Sequence, residues 1–348
     1  MWLIAWRDLQ FRRRRFVISV VAVAFVLAIT LLLSGLSNFF SAEIHRTVDQ
    51  LDADAWIVSN KATGPFLGSS PVPQSTVAEM LAHPGVTAAS GVVLRNFTAD
   101  DPADASLNLI GVEPGGIGAP EPASGRGLDQ DGDAVVDERL GRDVGETVVV
   151  GGTSFVVTGV VRGSTALAGS PNVFVTTTDA QSIGYASQPI VSAVAVRGDP
   201  APIEPTRGLV VMTNDDAIAD LGGPLTDARD TIAFLSILLW IIAACIIGSI
   251  VYLSALERLR DFAVFKSIGL SSRWVLGSLV TQAILLALVA TALAMLLTIP
   301  LTPRFPMPSE IPASALVWLP VTAIVVAALA SVAGVRRAVT VDPALAFD

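Results

Sequence analysis

Cysteine occurs once in the 348 residues, at Cys245. A single thiol excludes an internal disulfide framework, a cysteine-rich zinc site and an iron–sulfur cluster. Histidine occurs only at His45 and His83, and lysine only at Lys61 and Lys266. Lys61 follows Asn60 and Lys266 follows Phe265, so neither stands in the Gly-Lys-Ser/Thr context of a phosphate-binding Walker A loop. Charge is scarce as well. Asp, Glu, Lys and Arg make up 15% of the residues, against roughly 25% in a soluble domain. Hydrophobic residues make up 52%, and the mean hydropathy is +0.64. An ordinary soluble protein is therefore excluded. The net charge of −9 does not suit a nucleic-acid binder.

The missing charges are concentrated in four stretches that contain no Asp, Glu, Lys, Arg or His: Phe16–Ala42, Thr231–Leu256, Trp274–Pro303 and Ile311–Val335. Each exceeds the ~20 residues that a helix needs to cross the hydrocarbon of a bilayer. Backbone in lipid must satisfy its own hydrogen bonds, so the four are predicted to be transmembrane helices at 16–42, 231–256, 274–303 and 311–335. The first is longer than a signal-peptide core and is read as a retained anchor. No ionisable group interrupts any span, which disfavours a proton- or sodium-coupled transporter.

Orientation follows from the flanking charge. Residues 1–15 carry five Arg against Asp8, and the link 257–273 carries four basic against two acidic residues. The long segment 43–230 carries 10 basic and 25 acidic residues. Both termini and the link are therefore expected to be cytoplasmic, with 43–230 and a short loop at 304–310 outside. Residues 1–15 are predicted as a cytoplasmic amphipathic helix with Trp2, Ala5, Trp6 and Leu9 on its apolar face, and 336–348 as a cytoplasmic tail.

The insertion at 43–230 is long enough for its own core. Strands are predicted at Val92–Leu94, Leu107–Val112, Ala134–Val136 and Val191–Val196. The clearest hairpin is Thr147–Val150, Gly151-Gly152 and Thr153–Val161, because Gly adopts the positive φ of a tight turn cheaply. Helices are predicted at Ser75–Ala82, Thr178–Ile183 and Asp215–Leu221. The expected architecture is an α-helical membrane protein with four transmembrane helices plus an α+β extracytoplasmic domain. Asp129, Asp131 and Asp133 resemble the start of a calcium loop, but Gly132 and Leu140 break its spacing, so a solvated acidic loop is expected. His45 and His83 suggest neither a zinc pair nor a catalytic triad.

The link between the second and third spans is the most informative stretch. It reads ERLRDFAVFKSIG from Glu257 to Gly269. Glu257 with Arg260 and Arg258 with Asp261 stand at i,i+3 helical spacing, and Gly269 can end the helix. A short amphipathic helix carrying Phe262 and Phe265 at the cytoplasmic surface reads as a docking site. In the second span, Ala244-x-x-x-Gly248 would allow close helix packing between two protomers.

Glu257, Arg258, Arg260, Asp261, Phe262, Lys266 and Gly269 are similar to the link motif of the FtsX/MacB-type (type VII) ABC transporter permeases. The tail Arg336-Arg337-Ala338 followed by Asp342-Pro343, the start Trp6-Arg7-Asp8-Leu9, and Pro84-Gly85-Val86 with Asp137-Glu138-Arg139-Leu140 in the insertion also resemble that family. The resemblance implies a permease without catalytic activity of its own. Two copies of a separate ABC ATPase would bind ATP and Mg, with no cofactor in this chain. The permease would self-associate as a dimer or pair with a related permease. The link residues would couple ATP hydrolysis to motion of the outer domain, most readily for export or extraction of a substrate at the outer face. The expected location is a bacterial plasma (inner) membrane, in contact with lipid and with an extracytoplasmic partner within reach. Two alternatives are an FtsX-like transmembrane regulator of a cell-wall hydrolase and a ligand-binding membrane sensor.

Overall fold

The computed structural model describes residues 13–67, 70–97, 106–198, 208–257, 272–305 and 307–339. The chain divides into two compact units, one drawn from 1–39 and 228–348 and the other comprising Phe40–Asp227.

The first unit is helical. Among the described residues, four helices are long and apolar enough to cross a membrane. They belong to α1 (Arg13–Gln50), α4 (Asn214–Leu256), α5 (Ser272–Leu301) and α6 (Ala313–Val339). Their shared core contains Val23, Leu27 and Leu31 of α1, Ile247 and Val251 of α4, Leu279 and Leu286 of α5, and Leu319 of α6. Between these lie Ala283, Ala287, Ala290 and Ala294, spaced so that one face of α5 is small throughout. Small side chains let helix backbones approach where water supplies no hydrophobic drive. The opposite faces carry exposed Phe25, Ile237, Ile241, Val317, Trp318 and Leu329, as a lipid-facing surface requires. Several threonine hydroxyls in the spans are satisfied within their own helices. Thr30, Thr281, Thr291 and Thr298 each donate to the carbonyl four residues earlier at 2.7–2.9 Å.

The link between α5 and α6 is pinned to α1. The Glu310 N–H donates to the Gly35 carbonyl at 3.1 Å, Asn38 Nδ2 to the Glu310 carbonyl at 3.0 Å, and Ser309 Oγ to the Leu32 carbonyl at 3.1 Å. Gly35 is what allows this approach, because a side-chain carbon there would collide with Ser309 Oγ.

The second unit is an α+β domain built on an 11-stranded mixed sheet. Its longest strand, β3 (Val86–Phe97), changes partner midway. Val86–Val92 pair with β12 (Ala193–Gly198), and Val93–Phe97 pair with β4 (Leu107–Val112). The sheet continues from β12 through β1 (Ala55–Ser59) to β13 (Leu209–Thr213). On the other side β4 pairs in parallel with β10 (Ser170–Thr176), followed by β6 (Asp133–Asp137) and β8 (Thr153–Val161). Helices α2 (Ser75–Leu81) and α3 (Thr177–Tyr185) contribute Met80 and Ala180 to the core with Ile57, Leu109, Phe155 and Val194.

The hairpin read from Gly151-Gly152 forms in register, with Val150 opposite Thr153 and Thr147 opposite Val156. Both glycines have positive φ, 57° and 80°. Val148 and Val150 are buried while Thr147 and Val149 face outward, the period of two that a half-buried strand demands. The helix expected at Asp215–Leu221 is no separate element. It is the beginning of α4, which runs unbroken through Gly222-Gly223-Pro224 to Leu256. Helix α1 likewise continues past Ala42 to Gln50. A charge-free stretch marks hydrocarbon thickness rather than a helix end. The extra turns persist because Glu43, Ile44, Thr47 and Val48 are buried within the domain.

Candidate functional site

The predicted link helix places one residue within the described structure. The Glu257 N–H donates to the Leu253 carbonyl at 3.1 Å, closing the last turn of α4. Arg258, Arg260, Asp261, Phe262, Lys266 and Gly269 lie outside the described residues, as do residues 1–12 and the tail after Val339. Ala244 and Gly248 share one face of α4, both half-buried. A methyl group built on Gly248 would touch the Ala330 carbonyl of α6 at 3.6 Å, so close packing at Gly248 already occurs inside one chain.

The polar geometry of the domain is concentrated where α1 and α4 enter it. Glu43 on α1 is 1% exposed. Its carboxylate accepts from Thr165 Oγ1 at 2.7 Å, the Ala168 N–H at 2.9 Å and the Gly169 N–H at 2.8 Å. One helical turn later, Thr47 Oγ1 donates to the Thr165 carbonyl at 2.9 Å. A further turn on, Gln50 Oε1 accepts from Ser164 Oγ at 2.9 Å. The spacing 43, 47, 50 keeps all three on one face of the helix. Leu167, Ala168 and Gly169 carry consecutive positive φ values of 53°, 69° and 94°. Within this turn the Ala168 and Gly169 N–H groups both point at the Glu43 carboxylate.

Asp220, in the second turn of α4, is 8% exposed and is held in the same way. Thr63 Oγ1 donates to Oδ1 at 2.8 Å, and the Phe66 and Leu67 N–H groups donate to Oδ2, each at 2.9 Å. Gly64 lies so close that a side-chain carbon there would collide with the Asp220 carboxyl. The N-terminus of α4 is fastened by Asn214, which donates to the Ala53 carbonyl at 2.7 Å and accepts from Trp56 Nε1 at 2.9 Å. The two fastenings are neighbours. Thr47 of α1, Leu221 of α4, Phe66 and Leu167 line one small cavity of about 20 Å³.

Neither carboxylate was singled out in the sequence. The available signal was position. Glu43 is the first charged residue after the uncharged stretch from Phe16, whereas Asp220 is set apart only by the fold, between buried Ala217 and Leu221.

The acidic run 129–133 is the exposed loop expected at Asp129 and Asp131, but its last member, Asp133, is buried in a hydrogen-bond network. Asp133 is buried, accepting from Arg126 Nη1 at 2.7 Å and from the Asp129 and Gln130 N–H groups at 3.1 and 3.3 Å. Burial pushes its carboxyl up, but these three donors outweigh that and hold it below the ordinary value of 3.8. Asp131 accepts from Thr176 Oγ1 at 2.6 Å, which ties the run to the cap of α3. Asp137 is pushed the other way. Its burial raises the carboxyl above 3.8, against the Arg139 and Ser164 N–H groups that favour the anion. His45 is exposed on α1 and His83 follows α2, on separate elements. Among the described residues no cluster of three acidic, His or Cys side chains is arranged for a metal.

An open cavity of about 670 Å³ is lined by residues including Gln50, Asp52, Gly118, Arg162 and Arg197. Of its charged lining residues, Arg197 pairs with Asp52, and Arg162 pairs with Glu138.

Comparison with known proteins agrees with this architecture. Residues 17–217 match the family model of the MacB-like periplasmic core domain, and residues 233–343 match that of the FtsX-like permease C-terminal. The chain is 43% identical over 344 residues to an uncharacterized ABC transporter permease of Mycobacterium bovis, covering 99% of this chain and 98% of that one. It is 21% identical over 350 residues to a Staphylococcus haemolyticus permease protein named for a hemin transport system, covering 98% and 97%. Among solved structures, the periplasmic region of MacB from Actinobacillus actinomycetemcomitans aligns at 13% identity with a TM-score of 0.35, covering 49% of this chain and 94% of that one.

Proposed function

The chain belongs to the FtsX/MacB-type ABC transporter permeases, and we propose that it transmits ATP-driven motion from a separate ATPase subunit to its inserted domain. In this reading the termini and the link 257–273 are cytoplasmic, and the inserted domain stands outside a bacterial inner membrane. The acidic balance of 43–230 and the basic flanks supply the orientation. Two ATPase subunits bind ATP and Mg and dock against Arg258, Arg260, Asp261 and Phe262 of a permease pair. Closure of the ATPases moves the link, and the spans carry that movement outward to expel or extract a substrate at the far face.

One observation supports this above the others. The helices that contain the first and second spans do not stop at the charge-free boundary; α1 and α4 each continue into the inserted domain as unbroken helix. Along α1, which contains no proline, i-to-i+4 bonding gives a helix that is stiff along its axis and suited to passing displacement, whereas Pro224 removes one such bond from α4. An anchored ligand sensor needs only a flexible tether.

The test is affinity purification of the chain from its native membrane in mild detergent, with mass spectrometry of what accompanies it. A stoichiometric P-loop ATPase is the expected result. Recovery of an intact dimeric chain without one overturns the reading. An outer-surface hydrolase recovered beside the ATPase would redirect the output from transport to regulation of that enzyme.

A further inference from the structure

We propose that Glu43 and Asp220 are the two pins by which α1 and α4 grip the inserted domain, and that ATP-driven movement of this domain requires both. The inference rests on the permease reading above and assigns its mechanical joints to particular atoms.

The two sites share one design. Each pin is a buried carboxylate on a helix that also contains a membrane span. Each accepts one threonine hydroxyl and two backbone N–H groups, Thr165 with Ala168 and Gly169 for Glu43, and Thr63 with Phe66 and Leu67 for Asp220. Each captures a loop more than 120 positions away in the chain. A carboxylate is the strongest acceptor available to a side chain, and three donors leave it little freedom to rotate. An apolar contact would slide under load, because dispersion has no direction. A charge-assisted hydrogen bond resists sliding because its strength depends on angle.

The loop on Glu43 carries a further sign that it is held. Leu167 and Ala168 both have side chains yet adopt positive φ. Such residues persist only when the surroundings over-determine them. The surroundings here are the carboxylate that receives the Ala168 and Gly169 N–H groups. Without that acceptor the turn has reason to relax, and Thr47 and Gln50 would lose the register in which they meet Thr165 and Ser164.

The experiment uses the full chain with its co-purified ATPase in lipid nanodiscs, read by hydrogen exchange with and without ATP. Glu43→Gln and Asp220→Asn keep size but replace one acceptor oxygen with a donor nitrogen. In the ATP-free state the 165–169 amides of Glu43→Gln, and the 63–67 amides of Asp220→Asn, should exchange about tenfold faster. The hairpin Thr147–Val161 should stay protected, reporting a folded domain. ATP turnover should continue while the ATP-dependent change in exchange within the inserted domain disappears.

Exchange at the two loops unchanged by the substitutions overturns the inference, as does an ATP response that survives in either variant. Where a variant loses hairpin protection, Thr165→Val and Thr63→Val remove one donor each and should give a graded loss of the ATP response; a full response in both overturns the inference. A wild-type complex with no ATP response in this domain overturns the permease reading and the inference together, an outcome distinct from failure in the variants alone.

Discussion

Glu43 Oε1 and the Gly169 N–H meet at 2.8 Å across 126 positions of the chain, joining the helix of the first span to a turn of the inserted domain. Truncating Glu43 to Ala removes the acceptor for three donors at once. The expected loss is about 2–4 kcal/mol of domain stability, since hydrogen bonds to charged groups are worth more than neutral ones and the orphaned N–H groups stay buried. Thermal unfolding of the full chain in detergent measures this. Ala168→Gly should cost little or stabilise, because glycine accepts the 69° φ without strain.

Gly64 and Asp220 make a matched pair. A methyl group at Gly64 would occupy the space of the carboxyl. Gly64→Ala should therefore reproduce the effect of Asp220→Ala, and the double variant should cost no more than either alone. Additive losses in a double-mutant cycle would show that the two residues act independently.

Gly35→Leu should damage the helical unit. Ser309 and Glu310 bond to carbonyls at Leu32 and Gly35, and any side chain at Gly35 would force that link away from α1. A loss above about 2 kcal/mol is expected from overpacking together with broken hydrogen bonds. Fluorescence-detected size exclusion after a heating series would report it. A substitution at Gly222, where an added methyl meets only Ile44 at 3.5 Å, is the tolerated control.

Asp133 predicts an acid limb. Its folded carboxyl titrates below 3.8, so its stabilising contribution is fully present above pH 3.8 and is lost as pH falls through the folded value. The stability difference between wild type and Asp133→Asn should be constant at neutral pH and shrink below 3.8. Asp137 acts in the opposite sense. Its carboxyl titrates above 3.8, so between 3.8 and the folded value the native state holds the additional proton and stability falls as pH rises. Denaturant midpoints across an acid series separate the two slopes.

The cytoplasmic link carries the coupling prediction. Reversing charge with Arg260→Glu or Asp261→Arg, or removing the ring with Phe262→Gly, should leave the chain folded and membrane-inserted while ATP turnover by the partner becomes independent of the permease. ATPase assays of the reconstituted complex test this, and coupled turnover in all three variants would count against docking at these residues.

Much of the molecule was legible in the chain because its signals are local. Four uncharged runs announce four spans whatever their neighbours. Gly151-Gly152 between β-branched runs dictates its own hairpin. The strands Ala55–Ser59 and Ser170–Thr176 were not legible. Each is paired on both edges, by β12 and β13 for the first and by β4 and β6 for the second, and each is buried on both faces, so neither shows the alternation that marks a strand in sequence. The continuation of α1 to Gln50, and the fusion of the helix read at Asp215–Leu221 with the second span, were hidden for a related reason. Residues 43–50 and 214–230 are polar enough to read as domain, and they are helical because tertiary partners receive their side chains.

By itself, the sequence determined what hydrocarbon thickness and backbone self-sufficiency dictate: four spans, one large insertion, a basic link and the family they belong to. The tertiary structure alone decided which acids matter. Of the 25 acidic residues in the insertion, Glu43 and Asp220 look no different from the rest in composition or spacing. They are set apart by donors from Thr165–Gly169 and Thr63–Leu67. A hydrogen bond between residues more than a hundred positions apart leaves no periodic trace in the chain, and only the folded backbone brings its two ends to bonding distance.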